Sequence, residues 1–254
     1  MNLLELNDIS VDFTTKKVTL SAVKDVSLTI GKGDFISIVG PSGCGKSTLL
    51  NVLGGFLPPS GGTIFQKGEA LKGPGRNRGV VFQKPALYPW LNVEQNVGFG
   101  LKMRGIGKKE KLKIVEENLK RVQLSDFSHM NTYELSGGMQ QRVAIARILA
   151  NDPEILLMDE PFGALDVLTR EHLQDELLKI WRETHKTVVL ITHSVEEAIY
   201  LSTSVYVMSE LPGQLIKKVE TPFSTEYSEM NSRKIKSLPE FVALREEVLS
   251  YIWS

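Results

Sequence analysis

Gly40-Pro41-Ser42-Gly43-Cys44-Gly45-Lys46-Ser47-Thr48 follows the spacing G-x-x-x-x-G-K-[ST], whose chemistry is the grip of a phosphate chain. Glycines at 40, 43 and 45 let the backbone wrap closely and aim successive N–H groups at phosphate oxygens. Lys46 supplies a full positive charge, attracting one phosphate charge by about 5 kcal/mol at ~3 Å and an effective dielectric of ~20, before desolvation. Ser47 offers a hydroxyl to Mg2+. Further along, the apolar run Ile155-Leu156-Leu157-Met158 ends in Asp159-Glu160. A carboxylate at that end of a strand suits the water shell of Mg2+, and the next one suits a base that deprotonates water attacking a γ-phosphate. Ser136-Gly137-Gly138, ahead of a helical stretch, offers a hydroxyl, two open N–H groups and a helix dipole, which together make a second anion site.

These groups need strands and helices to hold them. Phe35–Val39 reads as a buried strand and Lys46–Leu53 as a helix, so the glycine loop joins a strand end to a helix start, where the dipole adds about half a positive charge. Leu4, Leu6 and Ile9, then Val23, Val26, Leu28 and Ile30, show the short period of strands, an initial β-rich lobe. Thr63-Ile64-Phe65 is a short strand, and the buried run 79–82 stops at Gln83. From Val93 to Leu149 the texture is helical: Leu112, Val115, Leu119 and Val122 mark one face, and Val143, Ile145, Ala146 and Leu149 belong to another helix. The runs 155–158, 188–191 and 205–208 alternate with helical segments, as in a parallel sheet whose strand order the sequence does not reveal. Phe241, Leu244, Val248 and Ile252 form the stripe of a final amphipathic helix.

Composition narrows the classes. With 254 residues, 42% of them hydrophobic, the chain can bury a large core, and 30 basic against 30 acidic residues leave no net field to draw it to nucleic acid or anionic lipid. The single cysteine, Cys44, excludes an internal disulfide and fits a reducing compartment; within the loop it reads as a small residue that fits. No apolar run approaches the ~18 residues that span a bilayer, and the start lacks a secretory pattern, so a soluble chain is expected whose membrane association comes through a partner.

Leu135-Ser136-Gly137-Gly138-Met139-Gln140-Gln141-Arg142, taken with the phosphate loop and Asp159-Glu160 in this order, resembles the nucleotide-binding subunit of an ABC transporter from Leu3 to at least Met208. The resemblance implies an α/β P-loop NTPase: a mainly parallel central sheet, an N-terminal antiparallel β subdomain and an inserted helical subdomain. The expected divisions are 1–83, 84–150 and 151–254. It implies ATP and Mg2+ as ligands, with the whole loop, Gly40, Pro41, Ser42, Gly43, Cys44, Gly45, Lys46, Ser47 and Thr48, on the nucleotide. Ser136, Gly137 and Gly138 would complete the pocket of a second, head-to-tail copy. Gln83 corresponds to a glutamine that reaches Mg2+ and the attacking water at a mobile joint, Asp166 to an aspartate that touches the partner's phosphate loop, and His193 to a switch histidine on the γ-phosphate. Glu160, His193, Gln83 and Lys46 are thus the catalytic set, and Ser47, Gln83 and Asp159 the metal set. Phe13 falls where relatives stack a ring on adenine, although the longer stretch 14–23 loosens that register; a core or hairpin phenylalanine is the other reading. Met139 departs from the more usual glutamine. His129, His172 and His185 read as solvated or helix-face residues.

Arg78–Gln83, Leu87–Val93, Asn96–Leu101 and Glu160–Asp166 are similar to importers of taurine, aliphatic sulfonates and nitrate, and the tail 233–250 most resembles the taurine subgroup. That likeness implies transmembrane permease subunits, an indirect extracytoplasmic binding protein, and a peripheral place on the cytoplasmic face of the inner membrane. Trp90, in a stretch of apolar and aromatic residues, is either a docking residue for a permease helix or part of the core. The competing functions are import of nitrate or another small solute, and a non-transport ABC ATPase acting on nucleic acid. The zero net charge and the missing heptad insert argue against the second.

Overall fold

Strands buried on both faces, flanked by helices several of which begin on capping side chains, set this architecture. It is seen in a computed structural model that describes residues 2–15, 18–227 and 230–253. In chain order the first half comprises β1 (Asn2–Thr14), β2 (Thr19–Gly31), β3 (Phe35–Val39), α1 (Lys46–Gly54), β4 (Gly61–Gln66), β5 (Glu69–Ala70) and β6 (Arg78–Val81). Three helices follow, α2 (Val93–Met103), α3 (Lys108–Arg121) and α4 (Gly137–Ala150). The remainder is β7 (Ile155–Asp159), α5 (Val167–Thr184), β8 (Thr187–Ile191), α6 (Val195–Leu201), β9 (Ser204–Met208), β10 (Leu215–Glu220), α7 (Ser232–Lys236) and α8 (Pro239–Trp253).

Two sheets result. An antiparallel one has the order β2-β1-β4-β5, and a six-stranded one the order β10-β9-β3-β8-β7-β6, parallel throughout except for β10. The inner strands β3, β7 and β8 are mostly apolar because each faces two cores, whereas the edge strand β10 is largely exposed. Leu156 and Met158 of β7, with Val188 and Leu190 of β8, point to the core built with α2–α6 and α8. Their neighbours Ile155, Leu157, Val189 and Ile191 point to the core shared with α1 and the antiparallel sheet. That alternation is the period of two imposed by a pleated strand. The helices α2, α3 and α4 lie between β6 and β7 in sequence, yet those strands are paired neighbours, so the helical lobe is looped out of one sheet.

Local signals explain the helix ends. Asn92 and Gln95 cap α2 reciprocally, and α1 ends on left-handed Gly55 (φ 78°), whose N–H reaches the carbonyls of Asn51 and Val52. The stripe expected over residues 112–122 needs one correction. Val115, Leu119 and Val122 are buried, but Leu112, on the same face nearer the helix start, is exposed and lines an open surface cavity with Val115, Leu119 and Glu94. In α8, Phe241 and Val248 are fully buried while Leu244 and Ile252 pack at the edge. Lys16 and Lys17, within the long stretch after Phe13, lie outside the described residues, as do Met1, Ser228, Glu229 and Ser254.

The order β6-β7-β8-β3 matters most for function. These four parallel strands end side by side, with Val81 paired to Met158, Asp159 to Ile191 and Ile38 to Ile191. The residues just past each strand therefore fall in one row at the carboxyl edge of an open sheet, the edge where such sheets bind ligands.

Candidate active site

The glycine loop lies between β3 and α1, as its residue pattern requires. Gly43 and Gly45 take positive φ (79° and 102°), and a side chain on Gly45 would meet the Ala22 carbonyl oxygen at 2.4 Å. The first N–H groups of α1 have no partner within the helix and open into the loop. Lys46, 6% exposed, bends back over it and donates to the carbonyls of Gly40 (2.8 Å) and Pro41 (2.7 Å), with its Nζ 3.6 Å from Cys44 Sγ. Cys44 is buried, as a residue chosen for fit would be. The loop also has a backing that local spacing did not suggest. Gly213, in the turn between β9 and β10, lies so close that an added Cβ would sit 2.0 Å from the Cys44 carbonyl oxygen.

Beside the loop, Asp159 ends β7, 8% exposed, with the Ser47 hydroxyl next to its carboxylate. Burial pushes its carboxyl above the ordinary range, the neighbouring Glu160 charge adds to this, and Ser47 and Lys46 oppose it. Ser47, Asp159 and Gln83 are all oxygen donors, a hard set with one carboxylate, which fits Mg2+ carrying phosphate oxygens and water. With the amide-lined loop, these residues fit MgATP.

Glu160 is the meeting point of the row. Its backbone is left-handed (φ 46°), a conformation costly for a residue with a side chain and held here by its N–H bond to Ile191 O (2.8 Å). Its Oε2 accepts a 3.0 Å hydrogen bond from Gln83 Nε2 and lies 3.4 Å from His193 Nδ1. Two residues that follow two other strands thus converge on the carboxylate that follows β7. Gln83 is anchored from behind, since buried Gln141 of α4 donates to the carbonyl of Phe82 (3.2 Å). Gln141 enters the sequence reading only as a member of the 135–142 run; the long-range contact to Phe82 gives it this role.

Ser136 and Asp166 serve as N-caps of α4 and α5, accepting from Met139 N (3.3 Å) and Thr169 N (3.0 Å), and both are exposed. The Thr169 bonds hold the Asp166 carboxyl below its ordinary range. An added Cβ on Gly138 would touch Ala164 O and Leu165 Cδ2 at 3.3 Å, so the serine-glycine turn and the Asp166 loop share one surface. Among the described residues no hydrogen bond or ion pair joins Ser136–Gly138 to the Gly40–Thr48 loop of the same chain. Phe13 is exposed at the β1–β2 hairpin end, paired with Leu20. His129 and His185 are exposed, and His172 is half-buried on α5.

Trp90 is not core. It is 74% exposed, with its ring 5.6 Å from Tyr88, which in turn packs on Phe99 at 4.4 Å and lies under the Arg147 guanidinium at 5.4 Å. Tyr88, Phe99, Arg104 and Arg147 help to line a groove of about 570 Å3 between the helical lobe and the sheet.

A glycine cradle, a buried lysine and a row of polar side chains along a parallel sheet define a P-loop nucleotide-binding cassette, and a family model described as ABC transporter matches residues 23–163. The chain belongs to that family. In particular, it is 52% identical to the taurine import ATP-binding protein TauB of Pelagibacter ubique over 95% of this chain and 91% of that protein. It is 49% identical to the protein of the same name from Roseobacter denitrificans over 98% and 94%. Among solved structures it is similar to the cassette MJ0796, described as a dimer in a post-hydrolysis state bound to ADP and Pi (TM-score 0.80, 34% identity, 86% of this chain and 98% of that one). It is likewise similar to cbiO1 from Clostridium perfringens, part of the transporter complex cbiONQ (TM-score 0.75, 28% identity, 96% and 99%). No helix of the described residues is long and apolar enough to cross a membrane.

Proposed function

We propose that this chain is the ATP-hydrolysing subunit that powers import of taurine or a related small sulfonate through a membrane permease. The convergence of Gln83 and His193 on Glu160 beside the phosphate loop carries the hydrolytic part of this reading. The solute follows from identity of about one half, over nearly the whole length, to taurine import proteins.

In this scheme the amides of Gly43–Thr48 and the Lys46 ammonium hold the β- and γ-phosphates, and Lys46 gives up its bonds to Gly40 and Pro41 to do so. Ser47, Asp159 and Gln83 hold Mg2+, which when bound offsets phosphate charge. Glu160 takes the proton of the attacking water; Gln83 orients that water, and His193 steadies the carboxylate and contacts the γ-phosphate. Phe13 stacks on adenine. The exposed surface shared by Ser136, Gly138 and Asp166 is the half-site offered to a second copy, so that two chains pair head to tail around two nucleotides. The dimer described for MJ0796 supports this pairing. Trp90 and the groove behind Tyr88 receive a permease helix, which places the chain peripherally on the cytoplasmic face of the inner membrane. An extracytoplasmic binding protein acts on it only through the permease.

The test is to reconstitute the chain with its permease and binding protein in liposomes and follow uptake and ATP hydrolysis. Taurine should stimulate both. Stimulation by nitrate alone would reassign the solute, and hydrolysis driven by nucleic acid would overturn the transport reading.

A further inference from the structure

Among the described residues three charged side chains are buried: Lys46, Asp159 and Glu197. The first two have their place in the nucleotide site. Glu197, on α6 and 6% exposed, is not among the groups placed on the nucleotide, although a carboxylate taken out of water is costly unless something demands it.

Its contacts run in two directions. Toward the row of strand ends, its carboxylate lies beside the Thr192 hydroxyl, which accepts from Ser194 N at 3.0 Å. The Glu197 N–H itself donates to Ser194 Oγ (3.3 Å). Both residues flanking His193 are therefore tied to Glu197. Toward α5, Oε1 accepts from buried Gln174 Nε2 at 2.8 Å, and the Arg170 charge favours the carboxylate. Arg170 continues the chain of contacts, donating to Leu165 O (3.0 Å), with its backbone N–H on Asp166 O (2.9 Å). Burial raises the Glu197 carboxyl above its ordinary range, while Thr192, Gln174, Arg170 and His193 draw it back. On the α5 side the network has spare capacity, since Arg170 Nε and Gln174 Oε1 are buried without hydrogen-bond partners among the described residues. Such a half-satisfied polar cluster can re-pair when one wall moves.

We propose that Glu197 is a positioning residue that ties His193 to the Asp166-bearing start of α5, so that the loop facing a second copy sets the imidazole's position on Glu160. The inference rests on the hydrolytic role proposed for Glu160 and His193. Its physical content is one residue that meets the segment on both sides of the switch histidine, Thr192 through its carboxylate and Ser194 through its backbone N–H, while the helix that begins at Asp166 holds that carboxylate through Gln174.

The experiment compares the full chain with Glu197→Gln and Gln174→Leu, which cut the link from its two ends. Both variants should melt near the wild type and bind MgATP within about twofold, yet lose roughly 10- to 100-fold in kcat with KM unchanged, the signature of a displaced reacting group. Combining Glu197→Gln with His193→Ala should cost little more than His193→Ala alone. In histidine-labelled protein both variants should shift the ring resonances of His193 but not those of His129 or His185. Wild-type kcat in either variant, or unmoved His193 resonances, would refute the link. A wild-type chain that hydrolyses no ATP would overturn the inference together with the hydrolytic role on which it rests.

Discussion

Gln83 and Glu160, 77 residues apart in the chain, meet through a 3.0 Å hydrogen bond from Nε2 to Oε2. The bond exists because β6 and β7 are paired neighbours, so the residues just past them emerge side by side. It makes Glu160 an oriented acceptor before any substrate arrives. Replacing Glu160 by Gln keeps the shape and removes the proton acceptor, so kcat should fall at least about 100-fold while ATP binding persists. The variant should elute from gel filtration with ATP as a lasting dimer. Normal turnover in it would remove Glu160 from the role of base.

Gly213 should matter to nucleotide binding without touching nucleotide. A Cβ there would lie 2.0 Å from the Cys44 carbonyl oxygen and 2.4 Å from Met208 Cε, and a backbone carbonyl cannot step aside as a side chain does. Gly213→Ala should therefore displace the phosphate loop and weaken ATP binding by about tenfold or more, a misplacement effect of ordinary size. Gly73→Ala, where nothing lies within 4 Å of the new methyl, is the control. Equal affinities for the two variants in a fluorescent-nucleotide titration would contradict the packing.

The buried Asp159 predicts a pH dependence. Its carboxyl titrates above the ordinary range, mainly through burial and secondarily through Glu160. The folded state thus holds its proton more tightly than the unfolded state, and stability falls as pH rises through the unfolded and then the folded value. Without nucleotide, Asp159→Asn should melt above the wild type at pH 7, with the gap closing as pH is lowered toward about 4. Melting curves across that span check it; a gap independent of pH would mean the charge is not its cause.

Trp90, 74% exposed, has little buried surface to lose. Trp90→Ala should leave the melting temperature and ATP binding near those of the wild type, because single exposed substitutions are usually within about 0.5 kcal/mol. Co-purification with the permease should drop by about tenfold, the cost of removing an aromatic anchor at an interface. Undiminished co-purification would assign docking to other residues of the groove.

Much of this molecule was legible because its signals are local. The glycine spacing, the buried strand before it and the apolar run into Asp159-Glu160 each sit within a few residues, and the structure returns them as β3, α1 and β7. The caps Ser136 and Asp166 are local too, since a side chain that bonds three residues ahead needs only its own helix. Other features were not legible. Leu112 keeps its place on the face of Val115 and Leu119 yet is exposed, because period marks a face but not how far along it the covering extends. Trp90 could be weighed as core or as anchor from its neighbours, and only the path of the chain past Tyr88 exposed it.

What the residues alone determined was the chemistry on offer: an anion cradle, a lysine, oxygen donors for a metal, a base and a second anion turn. What only tertiary structure decided was which of them meet. The strand order β6-β7-β8-β3 put Gln83 and His193 on the Glu160 carboxylate, and the tertiary packing placed Gly213 behind the loop and buried Glu197 beside Gln174 of α5. The reason is physical: periodicity and capping act over one or two turns of chain, whereas sheet order is set by which apolar faces pack together across the whole chain.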